Sequence, residues 1–255
     1  MARLASPSIA RVVESSSGIL RLPEISNEIL LALPRKESDA LLADLEFVNL
    51  QTHAVLNEMG EPIEHCYFVN SGLISIVNVM RDGKSVEVGV TGKEGFVGLP
   101  MVVGLTTSST RAVTQVAGSA FRISVNALER MLPKSPQLEK LLNRFSQMLG
   151  LQSTQVAACN RLHEVDQRLA RWLLMSQDRL GGEVVPLTQE FLAHMLGTRR
   201  ASVTVAAGGL QKQGLIQYTR GSVTIVDRLR LESAACECYE TIVRQSGNWR
   251  KEASR

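Results

Sequence analysis

No run of apolar residues in this 255-residue sequence approaches the roughly 20 that a membrane-spanning helix needs. The opening Met1–Ala10 has one arginine and no sustained apolar stretch, so it does not read as a secretion leader, and a cytoplasmic protein with no membrane partner is expected. Cysteine is sparse. Cys66, Cys159, Cys236 and Cys238 are scattered rather than framed, which reads as free thiols in a reducing compartment. Cys236-Glu-Cys238 offers half of a metal site, but no second Cys/His pair is recognised at ligand spacing, so no metal is expected and the role of the two cysteines stays open. An N-terminal cysteine cluster for an iron–sulfur centre is missing. His53, His65, His163 and His194 do not group with a nucleophile or paired carboxylates, and no glycine-rich phosphate loop precedes a helix. Catalytic residues are therefore not expected, and the chain does not read as an enzyme. A net charge of +3 is too small to announce nucleic acid by itself.

What is present falls into two textures. Residues 1–26 mix Ser, Ala and Arg without periodicity and read as a flexible tail, with one short helix near Ile9–Val13. A short apolar segment from Asn27 stops at Pro34, and Glu37–Leu45 has helical spacing. From Glu46 the segments become short and β-rich, with turn residues between them. Candidate strands are Phe47–Leu50, Ala54–Leu56, Cys66–Val69 (ended by Asn70-Ser71-Gly72), Leu73–Val79, Lys84–Val90, Arg111–Val116 and Ala120–Ile123. Asp82-Gly83 between two β-branched runs predicts a type I′ hairpin. About eight short strands of this kind argue for a rolled β domain over 27–134.

Helical spacing takes over from Leu128. Leu138, Leu141, Leu142, Phe145, Met148, Leu149 and Val156 form one apolar stripe on a helix from Ser135 to Asn160. A long amphipathic helix between two domains makes a good dimer seam, and these seven residues are the expected interface. The alternative is that the helix packs on its own β domain. A second helix, Val165–Arg179, ends at Gly181-Gly182 and opens the last domain, 161–255.

The most informative stretch begins at Pro186-Leu187-Thr188. Thr188 is placed to cap a helix over Gln189–Leu196, with Glu190 at its positive end. Gly197 follows, Thr198 can cap a second helix from Arg199 to about Gln213, and Gly214 ends it: a helix, a short glycine turn and a helix. Leu215–Gln217 and Ser222–Val226, joined through Arg220-Gly221, read as a wing. On the second helix Val203, Ala206, Ala207 and Leu210 share one face, which should pack on Phe191 and Met195. Ala201, Val205 and Lys212 lie opposite, with Arg200 and Thr204 on the flank. Arg200 has the fork to bond guanine O6 and N7, and Val205 suits a thymine methyl. Arg199, Ser202 and Thr204 suit phosphates or base edges. Six basic residues (Arg199, Arg200, Lys212, Arg220, Arg228, Arg230) against two acidic ones (Glu190, Asp227) give this region a modest positive footprint. Gly208-Gly209 inside the helix is unexplained, since each Gly costs about 1 kcal/mol against Ala.

The run Leu187-Thr-Gln-Glu-Phe-Leu-Ala-His-Met-Leu-Gly-Thr-Arg-Arg-Ala-Ser-Val-Thr204, with Leu210-Gln-Lys-Gln-Gly-Leu-Ile216, Tyr67-Phe-Val-Asn-Ser-Gly-Leu-Ile-Ser75 and Gly95-Phe-Val-Gly98, resembles the Crp/Fnr family of bacterial regulators over about residues 27–240. The resemblance implies an α+β fold: an N-terminal cyclic-nucleotide-binding-like β-roll, a long dimerisation helix and a C-terminal winged helix-turn-helix. It implies a homodimer that regulates transcription on a palindromic operator in double-stranded DNA, with RNA polymerase as a further partner. The DNA-binding residues are expected to be Thr188, Gln189, Arg199, Arg200, Ala201, Ser202, Thr204, Val205 and Arg220. Many family members carry Glu where Ala201 stands, and a cyclic-AMP-responsive member has Arg where Val205 stands, so the operator should differ from the best-known family consensus.

The corresponding effector pocket would be Gly98, Leu99, Ser109, Thr110 and Arg111, with Ser153 and Thr154 of the long helix. It departs from the family pattern. Leu99 stands where cyclic-nucleotide binders have a glutamate for the ribose. Ser109-Thr110-Arg111 stands where they have Arg-Ser-Ala, so Arg111 comes two positions late and about 6–7 Å along the strand. A cyclic nucleotide is therefore disfavoured, no cofactor is established, and Arg111 reads as an ordinary exposed strand residue. The competing reading is a cyclic-nucleotide-responsive interaction module without DNA function, against which the 188–216 segment speaks.

Overall fold

The computed structural model describes residues 23–253 apart from Glu183 and Arg220, and the backbone alone over 248–253. The tail helix expected near Ile9–Val13 lies outside the described residues. The chain divides into two units: one runs to Ile76 and resumes over Thr91–Ser146, and the other comprises Val77–Val90 and everything from Gln147 onward.

In the first unit, helices α1 (Glu28–Leu31) and α2 (Arg35–Leu42) precede strands β1 (Glu46–Leu50) and β2 (Val55–Asn57). Then come β3 (His65–Val79), β4 (Ser85–Thr91), β5 (Phe96–Val97), β6 (Arg111–Ser124) and α3 (Val125–Met131), with β3 and β4 continuing into the hairpin of the second unit. Strand order is β1-β6-β3-β4, with β2 on β6 and β5 on β3. β1 and β6 pair antiparallel from Glu46↔Arg122 to Leu50↔Gly118.

Two expected strand breaks do not occur. β3 runs unbroken through Asn70-Ser71-Gly72, and β6 runs unbroken through Ala117-Gly118. These glycines read as terminators, but they permit a close backbone crossing. A Cβ on Gly72 (φ +86°) would meet Val116 O at 2.6 Å, and one on Gly118 would meet Ser71 O at 2.1 Å. The roll is consequently built from fewer and longer strands than the turn residues imply.

The sheet residues alternate between two cores. Phe47, Phe68, Phe96 and Phe121 face one with Ile29, Leu41, Leu128, Leu138, Leu142 and Phe145. Val48, Leu50, Tyr67, Val69, Ile74 and Val97 fill the other. Burial on both faces explains why Cys66-Tyr67-Phe68-Val69 is a continuous apolar run. The described structure includes residues before the expected boundary at 26. Ser26 N–H donates to Asn70 Oδ1 at 2.7 Å, and Asn70 Nδ2 donates to Glu24 O at 3.1 Å. Asn27, fully buried, caps α1 by accepting from Leu30 N–H at 3.1 Å and donates to Val69 O (2.8 Å) and Gly95 O (2.9 Å).

The second unit holds the later part of α4 (Pro136–Leu162), then α5 (Val165–Leu180), β7 (Val184–Pro186), α6 (Gln189–Met195) and α7 (Arg200–Lys212). β8 (Ile216–Thr219), β9 (Ser222–Ile225), α8 (Arg228–Ala234) and α9 (Cys238–Ala253) complete it. α5 is central: Leu169, Ala170, Trp172, Leu173, Leu174 and Met175 are all buried, and the Trp172 indole N–H donates to Glu87 Oε1 at 2.8 Å. The strands form one small sheet, β7-β9-β8.

The hairpin at 80–84 differs from the expected type I′ turn. Met80 N–H donates to Lys84 O (2.8 Å) and Gly83 N–H to Met80 O (3.0 Å). Only Gly83 has positive φ (+82°), because Asp82 accepts from Lys84 N–H instead of adopting the left-handed region. The three-residue loop is thus a type I turn closed by a left-handed glycine. Among the described residues no helix is long and apolar enough to cross a membrane.

Candidate nucleic-acid interface

The helix-turn-helix is assembled by local chemistry that the sequence displays. Thr188 Oγ1 accepts from Phe191 N–H at 3.2 Å and starts α6. The turn passes through Gly197 at φ +57°, and α7 ends before Gly214 at φ +72°. One local expectation fails: Thr198 does not cap α7, whose N-cap is Arg199 and carries no side-chain capping bond. Val203, Ala206, Ala207 and Leu210 are buried as expected, against α6, where Leu192 and Met195 are buried and Phe191 is half-buried.

The opposite face of α7 is open. Arg199, Arg200, Ala201, Thr204 and Val205 are exposed, with Val205 at 77% of its full area, while Ser202 is half-buried. Arg199 and Arg200 make no ion pair among the described residues. They stand at the positive end of a helix whose first turn holds no acidic residue. An anion there meets two free guanidiniums and unbonded backbone N–H groups.

Thr204 Oγ1 donates to Gln189 Oε1 at 2.8 Å, so the flank of α7 is tied to the start of α6. Thr188, Gln189, Glu190, Arg200, Tyr218, Thr219 and Gly221 line one groove between α6, α7 and the wing. Tyr218 is absent from the sequence-based set, because nothing local marks a wing residue whose strand faces the recognition helix. Its N–H donates to Gln211 Oε1 at 2.8 Å, and burial pushes its phenol pKa upward. Arg220 lies outside the described residues.

The positive footprint is narrower than the sequence count. Arg228 is held by Asp178 at 2.6 Å and Glu232 at 2.9 Å, and it also bonds Gln177 and Tyr239. Arg230 faces Asp227 at 3.9 Å. Arg228 ties α8 to α5 and α9, and Arg230 pairs with the residue that caps α8, which leaves Arg199, Arg200 and Lys212 as the free cations among the described members of that count.

The expected dimer stripe is corrected. Leu138, Leu141, Leu142 and Phe145 lie in the core of the first unit, at most 9% exposed. Val156 is buried in the second unit, and Met148 and Leu149 are half-buried. Helical periodicity locates an apolar stripe but does not say what covers it, and here the chain's own units cover most of it. From Gln147 onward the solvent-facing positions of α4 are instead Gln147, Gly150, Thr154, Ala157, Ala158, Arg161 and Leu162.

The candidate effector residues are largely engaged within the protein. Gly98 packs on Cys66, where a Cβ would meet the sulfur at 2.5 Å, and Leu99 packs against the core. Ser109 is exposed, and Thr110 Oγ1 is 3.2 Å from Ser108 Oγ. Arg111 is half-buried rather than exposed, and its Nε–H is shared between Glu58 Oε1 (2.9 Å) and Oε2 (3.0 Å). Burial raises the Glu58 pKa, but the bonds from Arg111 and the Met59 N–H outweigh it and hold the carboxyl below its usual range. Arg111 is thus charge-paired with Glu58. Ser153 and Thr154, in the other unit, donate to Leu149 O (3.0 Å) and Gly150 O (2.9 Å) of their own helix.

Among the cysteines, Cys66 is fully buried and burial pushes its thiol up to about 12, which leaves it unreactive. Cys236 and Cys238 stand beside Cys159 and His163. Cys159-x3-His163 is the second ligand-spaced pair that the sequence reading does not recognise.

Two family models match this chain: the Crp-like helix-turn-helix domain over residues 167–234 and the cyclic nucleotide-binding domain over 47–135. A CRP-like cAMP-activated global transcriptional regulator of Mycobacterium tuberculosis is 28% identical over 193 residues, which is 72% of this chain and 84% of the relative. FixK2 of Bradyrhizobium japonicum has a similar structure, with a TM-score of 0.66, 17% identity and coverage of 75% of this chain and 98% of that one. So does the c-di-GMP responsive global regulator CLP of Xanthomonas campestris, with a TM-score of 0.62, 20% identity and coverage of 75% and 99%. With both domain types in sequence and the long helix between them, the chain belongs to the Crp/Fnr family of DNA-binding transcription regulators.

Proposed function

We propose that the protein regulates transcription as a homodimer on a two-fold symmetric operator, with α7 entering the major groove of each half-site. The observation that carries this reading is the free Arg199–Arg200 pair at the open N-terminal end of α7, beside the exposed Val205. Arg200 reads a guanine edge, Val205 contacts a thymine methyl, and Arg199, Ser202 and the backbone at Thr188 hold phosphates. Gln189 and Thr204 act as a hydrogen-bonded pair at the same groove wall. The absence of side-chain donors at Ala201 and Val205 gives this protein an operator of its own. The two chains meet along the open face of α4 through Gly150, Thr154, Ala157 and Ala158, whose small side chains allow close helix approach. RNA polymerase is the further partner, the protein works in the cytoplasm, and it performs no catalysis.

The sensor does not take cyclic AMP in the family's manner, because Arg111 is committed to Glu58 and Leu99 offers no ribose acceptor. Selection of bound duplexes from a random-sequence pool, with and without cyclic AMP, tests the whole reading. Enrichment of a palindrome with half-sites about one helical turn (~34 Å) apart, indifferent to cyclic AMP, is the expected result. No enriched sequence would refute the operator, and enrichment only with cyclic AMP would refute the reading of the sensor.

A further inference from the structure

The end of the long helix and the junction between α8 and α9 bring together a chemically uniform group that DNA binding does not use. Cys159 lies in the last turn of α4 and His163 just past its end, with its N–H still bonded to Cys159 O at 3.1 Å, so the two share one side of the helix end. Cys236 and Cys238 bracket Glu237 at the start of α9. The three sulfurs and the imidazole nitrogen all lie within 4.8 Å of one another. Cys159 Sγ is 3.4 Å from Cys236 Sγ, and Cys238 Sγ is 3.6 Å from His163 Nδ1. A tetrahedral ion with zinc–sulfur and zinc–nitrogen bonds of about 2.3 and 2.0 Å sets S···S near ~3.8 Å and S···N near ~3.5 Å. A disulfide would need about 2.05 Å. We propose that Cys159, His163, Cys236 and Cys238 form a closed, four-coordinate site for one zinc ion.

The surroundings fit a metal better than a pocket of idle thiols. His163 presents Nδ1 to the sulfurs, and its other nitrogen, Nε2, lies 3.1 Å from Glu237 Oε2. A carboxylate on the far nitrogen fixes the tautomer and orientation of a metal-bound imidazole. Gln155 Nε2 donates to Cys238 Sγ at 3.1 Å, the kind of bond that steadies a thiolate ligand. Three thiolates and one divalent ion leave a single net negative charge. The neighbouring α5 supplies Arg168 and Arg171, 6% and 3% exposed, both within electrostatic reach of Cys159. Neither arginine has a carboxylate partner among the described residues, and the Nε of each has no hydrogen-bond acceptor. Two buried cations without anions are costly, and an anionic metal–thiolate centre offsets that cost. The three cysteines are at most 4% exposed, so all four positions are filled by protein, which marks a structural site rather than a catalytic one. The soft donor set selects zinc over hard cations. The ion would fasten the end of α4 to the α8–α9 junction within the second unit, two segments otherwise far apart in the chain.

The test is metal analysis of the full-length protein, purified under reducing conditions without chelator. About one zinc per chain is expected in the wild type and in Cys66→Ser, falling below about a tenth of an equivalent in Cys159→Ser and Cys238→Ser. A mercurial thiol reagent should release the zinc from the wild type. Because the ligand variants can misfold, the wild type is also stripped and titrated with cobalt(II). The visible band of a tetrahedral ion and a thiolate charge-transfer band should then saturate at one equivalent. Metal-free protein without a cobalt spectrum would overturn the proposal. So would an iron–sulfur chromophore, or a Cys159–Cys236 disulfide in anaerobically purified protein.

Discussion

Leu142→Ala separates the two roles open to the long helix. Leu142 is 0% exposed and sits in the first unit's core with Leu138, Phe145 and Phe68. Truncation there removes three carbons of buried surface and leaves a cavity in a site fenced by large side chains. Leu→Ala in such places costs about 2–5 kcal/mol. For a chain of this length each kcal/mol lowers the melting temperature by roughly 2–4 °C, so a fall of about 4–20 °C is expected. The assay is thermal unfolding over a hundredfold range of protein concentration, alongside sedimentation to obtain the dimer constant. The Leu142→Ala shift should be the same at every concentration, with dimer affinity unchanged. Ala158→Glu, on the open face, should do the reverse: dimer affinity falls, and the loss of melting temperature grows on dilution. Weakened dimerisation in Leu142→Ala with unaltered unfolding of the dissociated chain would show that the stripe is the seam after all. It would refute the assignment of the stripe to the chain's own core.

Three further outcomes follow from particular contacts. Asn27→Ala deletes a helix cap and strands the carbonyls of Val69 and Gly95 in a buried place, so denaturant titration should show a loss of about 2–5 kcal/mol. Gly209→Ala meets nothing within 4 Å of the new methyl and removes an entropy penalty inside α7, so unfolding should show a gain of about 0.5–1 kcal/mol. A loss there would mean that α7 is strained in a way its backbone does not display. Cys66, with its thiol pushed up to about 12, should resist alkylation in the native protein at pH 8 and react only on unfolding. Mass spectrometry of the labelled chain reads this directly, and rapid native labelling at Cys66 would contradict its burial.

Local chemistry was the legible part. Thr188, Gly197 and Gly214 mark helix ends by their own capping and backbone preferences, and the 3.6-residue period sorted Val203 and Leu210 inward and Val205 outward. What was missed depends on partners distant in the chain. Gly72 and Gly118 look like strand ends until each is seen opposite the other's backbone, 46 positions away. Arg111 looked exposed because its partner, Glu58, lies 53 residues earlier. The apolar stripe of α4 is legible as apolar, but that the chain's own cores bury Leu138, Leu141, Leu142, Phe145 and Val156 is not, since periodicity carries no information on what lies across it. Cys159 and His163 form an ordinary-looking helical pair until the fold returns Cys236 and Cys238 to their side.

The central claim is that α7 reads sequence through Arg200. Its most direct test is the affinity of wild type and Arg200→Ala for the selected operator and for a scrambled duplex of equal length at one fixed salt concentration. The account predicts a loss of about 1–3 kcal/mol on the operator, roughly 5- to 150-fold, with a much smaller change on the scrambled duplex. Equal operator affinity for the two proteins would contradict it, as would a loss of the same size on both duplexes.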